Sequence, residues 1–169
     1  MSAVTRVLLA EDEANLGLIL ETFLRGRGHE VTRVADGRAA LDAARACTFD
    51  VALLDVVMPE MNGLEVLGAL AEVPFAPEAI VVTGNGTVET ALHALGLGAY
   101  DYLTKPYRMA EVDQLVRRAA EKRSLRMDAA RLAWECGASN PVAPSSSYPP
   151  LRDALARAAE SATEGRPPC

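Results

Sequence analysis

Short apolar runs and helical apolar periods take turns along the chain from Arg6 to about Lys122. The run RVLLA (Arg6 to Ala10) predicts a buried strand, and Leu16, Ile19, Leu20, Phe23 and Leu24 then recur at the spacing of one helix face. Gly26 and Gly28 end that helix. EVTRV (Glu30 to Val34) alternates as an edge strand does, and the Ala-rich DGRAALDAARA predicts a helix after a turn at Asp36-Gly37. VALLD (Val51 to Asp55) is a third strand; Leu64, Val66, Leu67 and Leu70 mark a third helix that stops before Pro74. AIVVTG is a fourth strand, TVETALHAL a fourth helix and AYDYLT a fifth strand. A fifth helix begins near Met109, with Val112, Leu115, Val116 and Ala119 on one face.

Five strand-helix alternations predict an α/β fold: a five-stranded parallel sheet, doubly wound, with helices on both faces. Right-handed crossovers leave few topologies. In such open sheets ligands bind beyond the carboxyl ends of the strands, so the residues just after each strand carry the chemistry.

Those residues form a pattern. Glu11, Asp12 and Glu13 follow the first strand, Asp55 closes the third, Thr83 and Gly84 close the fourth, and Lys105 and Pro106 follow the fifth. Asp12 and Asp55 would repel at close range without a cation between them, and hard carboxylate oxygens with water suit Mg²⁺. A divalent ion, a lysine and a hydroxyl together spread the charge of a phosphoryl group and hold its oxygens. Asp55 is then placed to be the nucleophile that takes up that group. Taken singly, each residue has a plainer reading: the three acids favour a helix N-terminus, Thr83 is a strand residue and Lys105 a solvated charge. Asp55 resists the plain reading, because a carboxylate ending an apolar strand is costly to desolvate without a partner.

Composition narrows the class. With 169 residues, 50% of them hydrophobic and 24% charged, the chain has the makeup of a globular protein with one sizeable core. A net charge of -6 disfavours a nucleic-acid surface. No apolar run approaches the roughly 20 residues of a membrane span, and Met1 to Arg6 lacks a signal-peptide layout, so the expected location is the cytoplasm, with no membrane partner. The three cysteines, Cys47, Cys136 and Cys169, lie far apart without metal-type spacing, and reduced thiols are the simplest expectation.

The motifs LLAEDE, LLDVVMPEMNGLEVL, VVTGNG and GAYDYLTKPY, in that order, make Arg6 to Lys122 resemble the receiver domain of a bacterial two-component response regulator, with its flavodoxin-like fold. The resemblance implies a phosphoacceptor switch rather than an enzyme, with only self-phosphotransfer and autodephosphorylation. Asp55 resembles the phosphoacceptor, fed by a sensor histidine kinase. Asp12 resembles the direct Mg²⁺ ligand, with Glu11 acting through water and the Val57 carbonyl completing the set with Asp55. Thr83 resembles the hydroxyl that bonds the phosphoryl group, Lys105 its lysine partner, and Tyr102 the aromatic switch that turns inward after Thr83 moves. The Lys105-Pro106 bond is expected cis. Glu11 stands where many receivers have Asp, a common alternative. Val57 and Asn85, two positions beyond Asp55 and Thr83, occupy the places that tune dephosphorylation; valine cannot orient a water, so a phosphoaspartate lasting at least minutes is expected.

The same resemblance implies a small rearrangement of the fourth helix, fifth strand and fifth helix, a face that would also support homodimerisation; Gly84, Gly86, Gly96 and Gly98 around the fourth helix suit it, or are ordinary turn and cap glycines. The expected organisation is a receiver over 4–122, a helical extension over 123–136, a Pro/Ser-rich linker over 137–150, and a short helix and tail over 151–169. Leu125, Ala129 and Leu132 continue a stripe into the extension, which offers a second dimer contact, although the heptad is imperfect across Arg123 and Arg126. Trp134 is either part of that contact or a cover over the core.

TGNGTVETALHALGLGAYDYLTKPY is most similar to receivers of NtrC-like transcription activators, which implies control of transcription. The chain lacks a G-x-x-x-x-G-K-[ST] phosphate loop, and its Arg residues between 117 and 131 are balanced by acids, so no direct nucleic-acid contact is expected. The alternative is a stand-alone relay or scaffold acting by protein contact. A phosphatase of the haloacid dehalogenase type would need a second Asp where Val57 stands.

Overall fold

The computed structural model describes residues 4–135. Ten elements alternate: β1 (Arg6–Ala10), α1 (Ala14–Gly26), β2 (Glu30–Val34), α2 (Gly37–Ala46), β3 (Val51–Asp55), α3 (Gly63–Leu70), β4 (Glu78–Thr83), α4 (Val88–Gly96), β5 (Asp101–Thr104) and α5 (Met109–Glu135). The strands form one parallel sheet in the order β2-β1-β3-β4-β5. The doubly wound sheet and the edge position of β2 are as expected; β5 is two residues shorter than its apolar run and β4 begins one residue earlier.

Period-two alternation divides the strand side chains between two cores. Leu8, Ala10, Ala52, Leu54, Ala79 and Val81 pack with α2, α3 and Ala94 of α4. Val7, Leu9, Val51, Leu53, Ile80, Val82 and Leu103 pack with Leu20 and Leu24 of α1 and Val112, Val116 and Ala119 of α5. β3 and β4 are buried at every position, which is why they read as unbroken apolar runs.

Local signals set the helix starts. The Asp36 side chain accepts from the Ala39 amide at 2.7 Å, Thr87 caps α4 through the Thr90 amide at 3.2 Å, and Asn62 with Glu65 forms a reciprocal capping box on α3. Glu13 precedes α1 without a side-chain cap, so helix capping does not account for the acids after β1. Gly28, at φ 90°, provides the left-handed residue that turns the chain into β2.

Three features depart from the expected pattern or extend it. α5 is one continuous helix through Glu135. Arg123 is 6% exposed and bonds Asp50 and the Phe75 carbonyl, so side-chain packing against the sheet continues past Lys122. Cys47, expected as a reduced thiol, is disulfide-bonded; separation along a chain says little about separation in space. The linker and the short helix expected over 137–169 lie outside the described residues.

On the other side of α5, His29 Nε2 lies 3.0 Å from Asp113 Oδ1, and Arg117 Nε donates to Asp113 Oδ2 at 3.0 Å. Burial pushes the Asp113 carboxyl up, but the bonds from His29 and Arg117 outweigh it and hold the group below its ordinary 3.8. A lowered folded value means stability that is present above the unfolded value and lost as pH falls through the folded one. Asp113→Asn should therefore flatten the acid limb of the stability curve; an unchanged loss of urea midpoint on acidification would show that another carboxylate governs it.

Candidate functional site

Strand register builds the site. Ala10 lies opposite Leu54, Asp55 opposite Val82, and Thr83 opposite Thr104, so the residues ending β1, β3, β4 and β5 stand side by side along the carboxyl rim. Asp55 occupies the middle, with Glu11 and Asp12 on one side and Thr83 and Lys105 on the other.

The rim is tightly connected. Lys105 Nζ donates to Asp55 Oδ2 at 2.5 Å and to Glu11 Oε2 and Oε1 at 3.1 and 3.3 Å. Glu11, Asp55 and Thr83 are buried, while Asp12 is exposed. The Val57 amide donates to Asp55 Oδ1 at 3.0 Å and the Glu13 amide to Glu11 Oε1 at 3.3 Å. Thr83 Oγ1 accepts from the Asn85 amide at 3.2 Å, and the Lys105 amide donates to the Thr83 carbonyl at 2.8 Å. The Lys105-Pro106 peptide is cis, as expected.

The electrostatics follow from burial and pairing. Burial pushes the Glu11 carboxyl above its ordinary value and the Asp55 charge adds to this, against the pull of Lys105. For Lys105 burial works downward, but the bonds to Asp55 and Glu11 outweigh it and raise the ammonium. Carboxylate oxygens of Glu11, Asp12 and Asp55 all lie within 4.8 Å of one another. That spacing and the all-oxygen chemistry fit a hard divalent cation.

The remaining predicted residues sit around this centre. Val57 is 70% exposed and Asn85 exposed, both beside the acidic pocket. Tyr102 lies on β5, paired with Val81, and is 38% exposed. Val88, Leu92 and Leu95 of α4 are also exposed.

Two contributors escaped the motif reading. The Tyr107 hydroxyl is buried without a hydrogen-bond partner, and burial pushes it up to about 12 within reach of the charges of Lys105, Glu11 and Asp55. Gly63 lies so close to β3 that an added Cβ would stand 2.2 Å from the Asp55 carbonyl oxygen. The aromatic after Lys105-Pro106 and the glycine after Asn62 were visible, but neither had a partner that spacing could reveal.

Comparison with known proteins agrees with this geometry. Residues 7–117 match the response regulator receiver domain, and the chain belongs to that family. It is 33% identical over 143 residues to the regulatory protein AtoC of Escherichia coli, covering 81% of this chain and 31% of that protein. The beryllofluoride-activated NtrC4 receiver domain dimer superposes with a TM-score of 0.66 at 30% identity, covering 70% of this chain and 98% of that one. NtrX from Brucella abortus superposes with a TM-score of 0.70 at 25% identity, covering 85% of this chain and 31% of that one. The chain spans about half or less of the length of the curated relatives it matches. Receiver domains are phosphoacceptor switches that take phosphoryl groups from histidine kinases and bind Mg²⁺ at an acidic pocket. Among the described residues no helix is long and apolar enough to cross a membrane.

Proposed function

We propose that this receiver accepts a phosphoryl group on Asp55 from a sensor histidine kinase in the cytoplasm and uses it to switch the face formed by α4, β5 and α5. The observation that carries this reading is the Lys105 ammonium held 2.5 Å from a buried strand-end carboxylate. A carboxylate oxygen of Asp55 attacks phosphorus, the bond from phosphorus to the donor's imidazole nitrogen breaks, and the nitrogen keeps the electron pair. Lys105 neutralises the transferred oxygens and the Thr83 hydroxyl donates to one of them. Asp12, Asp55, the Val57 carbonyl and, through water, Glu11 are the groups that would hold Mg²⁺. When bound, that ion supplies the charge neutralisation that brings phosphate and carboxylates together.

Once Thr83 turns toward the phosphoryl group, Tyr102 moves inward and the exposed side chains of α4 change their setting. The output is dimerisation through that face or through α5, and control of transcription, as the names of the relatives suggest. The chemistry of the switch is confined to self-phosphotransfer and autodephosphorylation.

Intact-protein mass spectrometry after acetyl phosphate and Mg²⁺ tests the reading. One phosphoryl adduct on the wild type and none on Asp55→Ala is expected, with light scattering reporting any change of assembly. An adduct that persists in Asp55→Ala, or no adduct on the wild type, refutes it. The aliphatic Val57 side chain cannot align an attacking water, so the adduct should survive at least minutes after acetyl phosphate is removed. Decay within seconds would show that Asn85 or another group positions that water.

A further inference from the structure

The hydroxyl of Tyr107 has no place in the chemistry described so far. The residue follows the cis Lys105-Pro106 bond, and its ring packs on the apolar cluster that holds Val7, Leu9 and Leu20. Phenylalanine would fill that space equally well. The hydroxyl oxygen is nevertheless buried, and among the described residues nothing bonds it. Burying a donor without an acceptor costs stability, so an unpaired hydroxyl beside a polar site points to a partner that arrives later.

The surroundings of the hydroxyl identify that partner. Alternation along β1 puts Val7 and Leu9 on the face covered by α1 and α5, and it carries Glu11 to the same face. A Cβ on Gly17 of α1 would stand 3.6 Å from Glu11 Cγ, so the Glu11 side chain and the Tyr107 ring share one side of the sheet. The charges of Lys105, Glu11, Asp55 and Glu13 all act on the hydroxyl. Asp12, one residue out of phase, is exposed, whereas Glu11 is 2% exposed. The Glu11 carboxylate accepts from the Glu13 amide and from Lys105 Nζ, and it keeps acceptor capacity beyond these, since a carboxylate offers about four lone-pair sites.

We propose that Tyr107 is a positioning residue of the cation pocket: its hydroxyl donates to Glu11 and accepts from the water through which Glu11 holds the divalent cation. This rests on the function proposed above and adds a residue to it. Water on a divalent ion is polarised and donates strongly, and a phenol oxygen accepts while its own proton goes to a carboxylate. The two bonds together fix which way the Glu11 carboxylate and its water face. Groups standing one step behind the ligands set metal affinity in this manner.

Tyr107→Phe removes the hydroxyl and keeps the ring. Calorimetry with MgCl₂ should show it binding about tenfold more weakly than the wild type. Its urea midpoint in EDTA should be no lower, because the cation-free protein loses only an unpaired group. The chain has four tyrosines, so tyrosine labelled with ¹³C at Cζ reads the hydroxyls directly, and the signal absent from Tyr107→Phe is that of Tyr107. In the wild type that signal should shift with the same Mg²⁺ midpoint as the pocket amides. Equal Mg²⁺ affinity in the two proteins, or a Tyr107 signal that stays still while the pocket amides titrate, overturns the proposal. So does a lower urea midpoint for Tyr107→Phe in EDTA, which would make the hydroxyl a structural tie that is already paired. If the wild type binds no Mg²⁺, the reading of the pocket itself fails, and this role of Tyr107 with it.

Discussion

Gly37→Ala is expected to destabilise the domain by about 3 kcal/mol, the upper part of the range for forcing atoms into a packed site. A Cβ on residue 37 would stand 1.8 Å from the Met61 carbonyl oxygen and 2.7 Å from its carbon. These are backbone atoms, so no side-chain rotation relieves the clash. Met61 cannot easily retreat: its amide bonds the Pro59 carbonyl at 2.7 Å, Glu60 before it sits at φ 65°, and Asn62 after it is locked in the capping box of α3. α2 is equally fixed, since the Asp36 cap and Ala40, Leu41 and Ala44 hold it on the sheet. The strain must therefore pass into the loop between Asp55 and α3, which carries Val57. Gly26→Ala is the control: nothing lies within 4 Å of its Cβ, and alanine in a helix should be neutral or stabilising by about 0.5 kcal/mol. A urea midpoint no lower for Gly37→Ala than for Gly26→Ala would show that the loop yields freely.

The sheet and the rim were legible in the chain because both are written at short range. Apolar runs at β1, β3 and β4 declare strands buried on two faces, and the carboxyl-end rule places Asp12, Asp55, Thr83 and Lys105 together without any contact being known. Long-range pairing left no such trace. Lys105 meets Glu11 across 94 positions and Arg123 meets Asp50 across 73, and neither separation has a periodic signature. In the sequence Arg123 and Arg126 appear only as positions where a heptad is imperfect, whereas the fold uses them as ties to the sheet. Gly37 was legible as a turn residue, but the backbone of Met61 beside it was not. The length of β5 was overestimated because the apolar Ala99 and Tyr100 belong to the approach rather than to the strand.

The second large effect is expected at the base of the sheet, opposite the acidic rim. Arg123 Nη1 donates to Asp50 Oδ1 at 3.0 Å and Nη2 to the Phe75 carbonyl at 3.0 Å, while Arg126 meets Glu78 Oε1 and the Ala76 carbonyl, each at 2.8 Å. Lys122 reaches the other oxygen of Glu78 at 3.2 Å. The loop these groups hold contains Phe75 at φ 56°, a conformation that a bulky residue keeps only when its surroundings impose it. Truncating one partner of a buried pair leaves the other charge and the carbonyl without compensation, which costs about 3–5 kcal/mol in a dry site. Asp50 is 29% exposed and recovers some hydration, so Arg123→Ala should cost about 2 kcal/mol. Arg131→Ala is the contrast: its pair with Glu135 is 3.9 Å long and exposed on both sides, and its loss should not be measurable. Amide exchange separates a local loss from a global one. If Arg123 ties the far half of α5 to the sheet, protection in Arg123→Ala should fall from residue 123 onward and in the loop at Phe75, while the β3 amides lose only the global decrement. A loss of stability no greater than that of Arg131→Ala would mean that α5 holds its course without the tie, and that Phe75 is kept in place by its own packing.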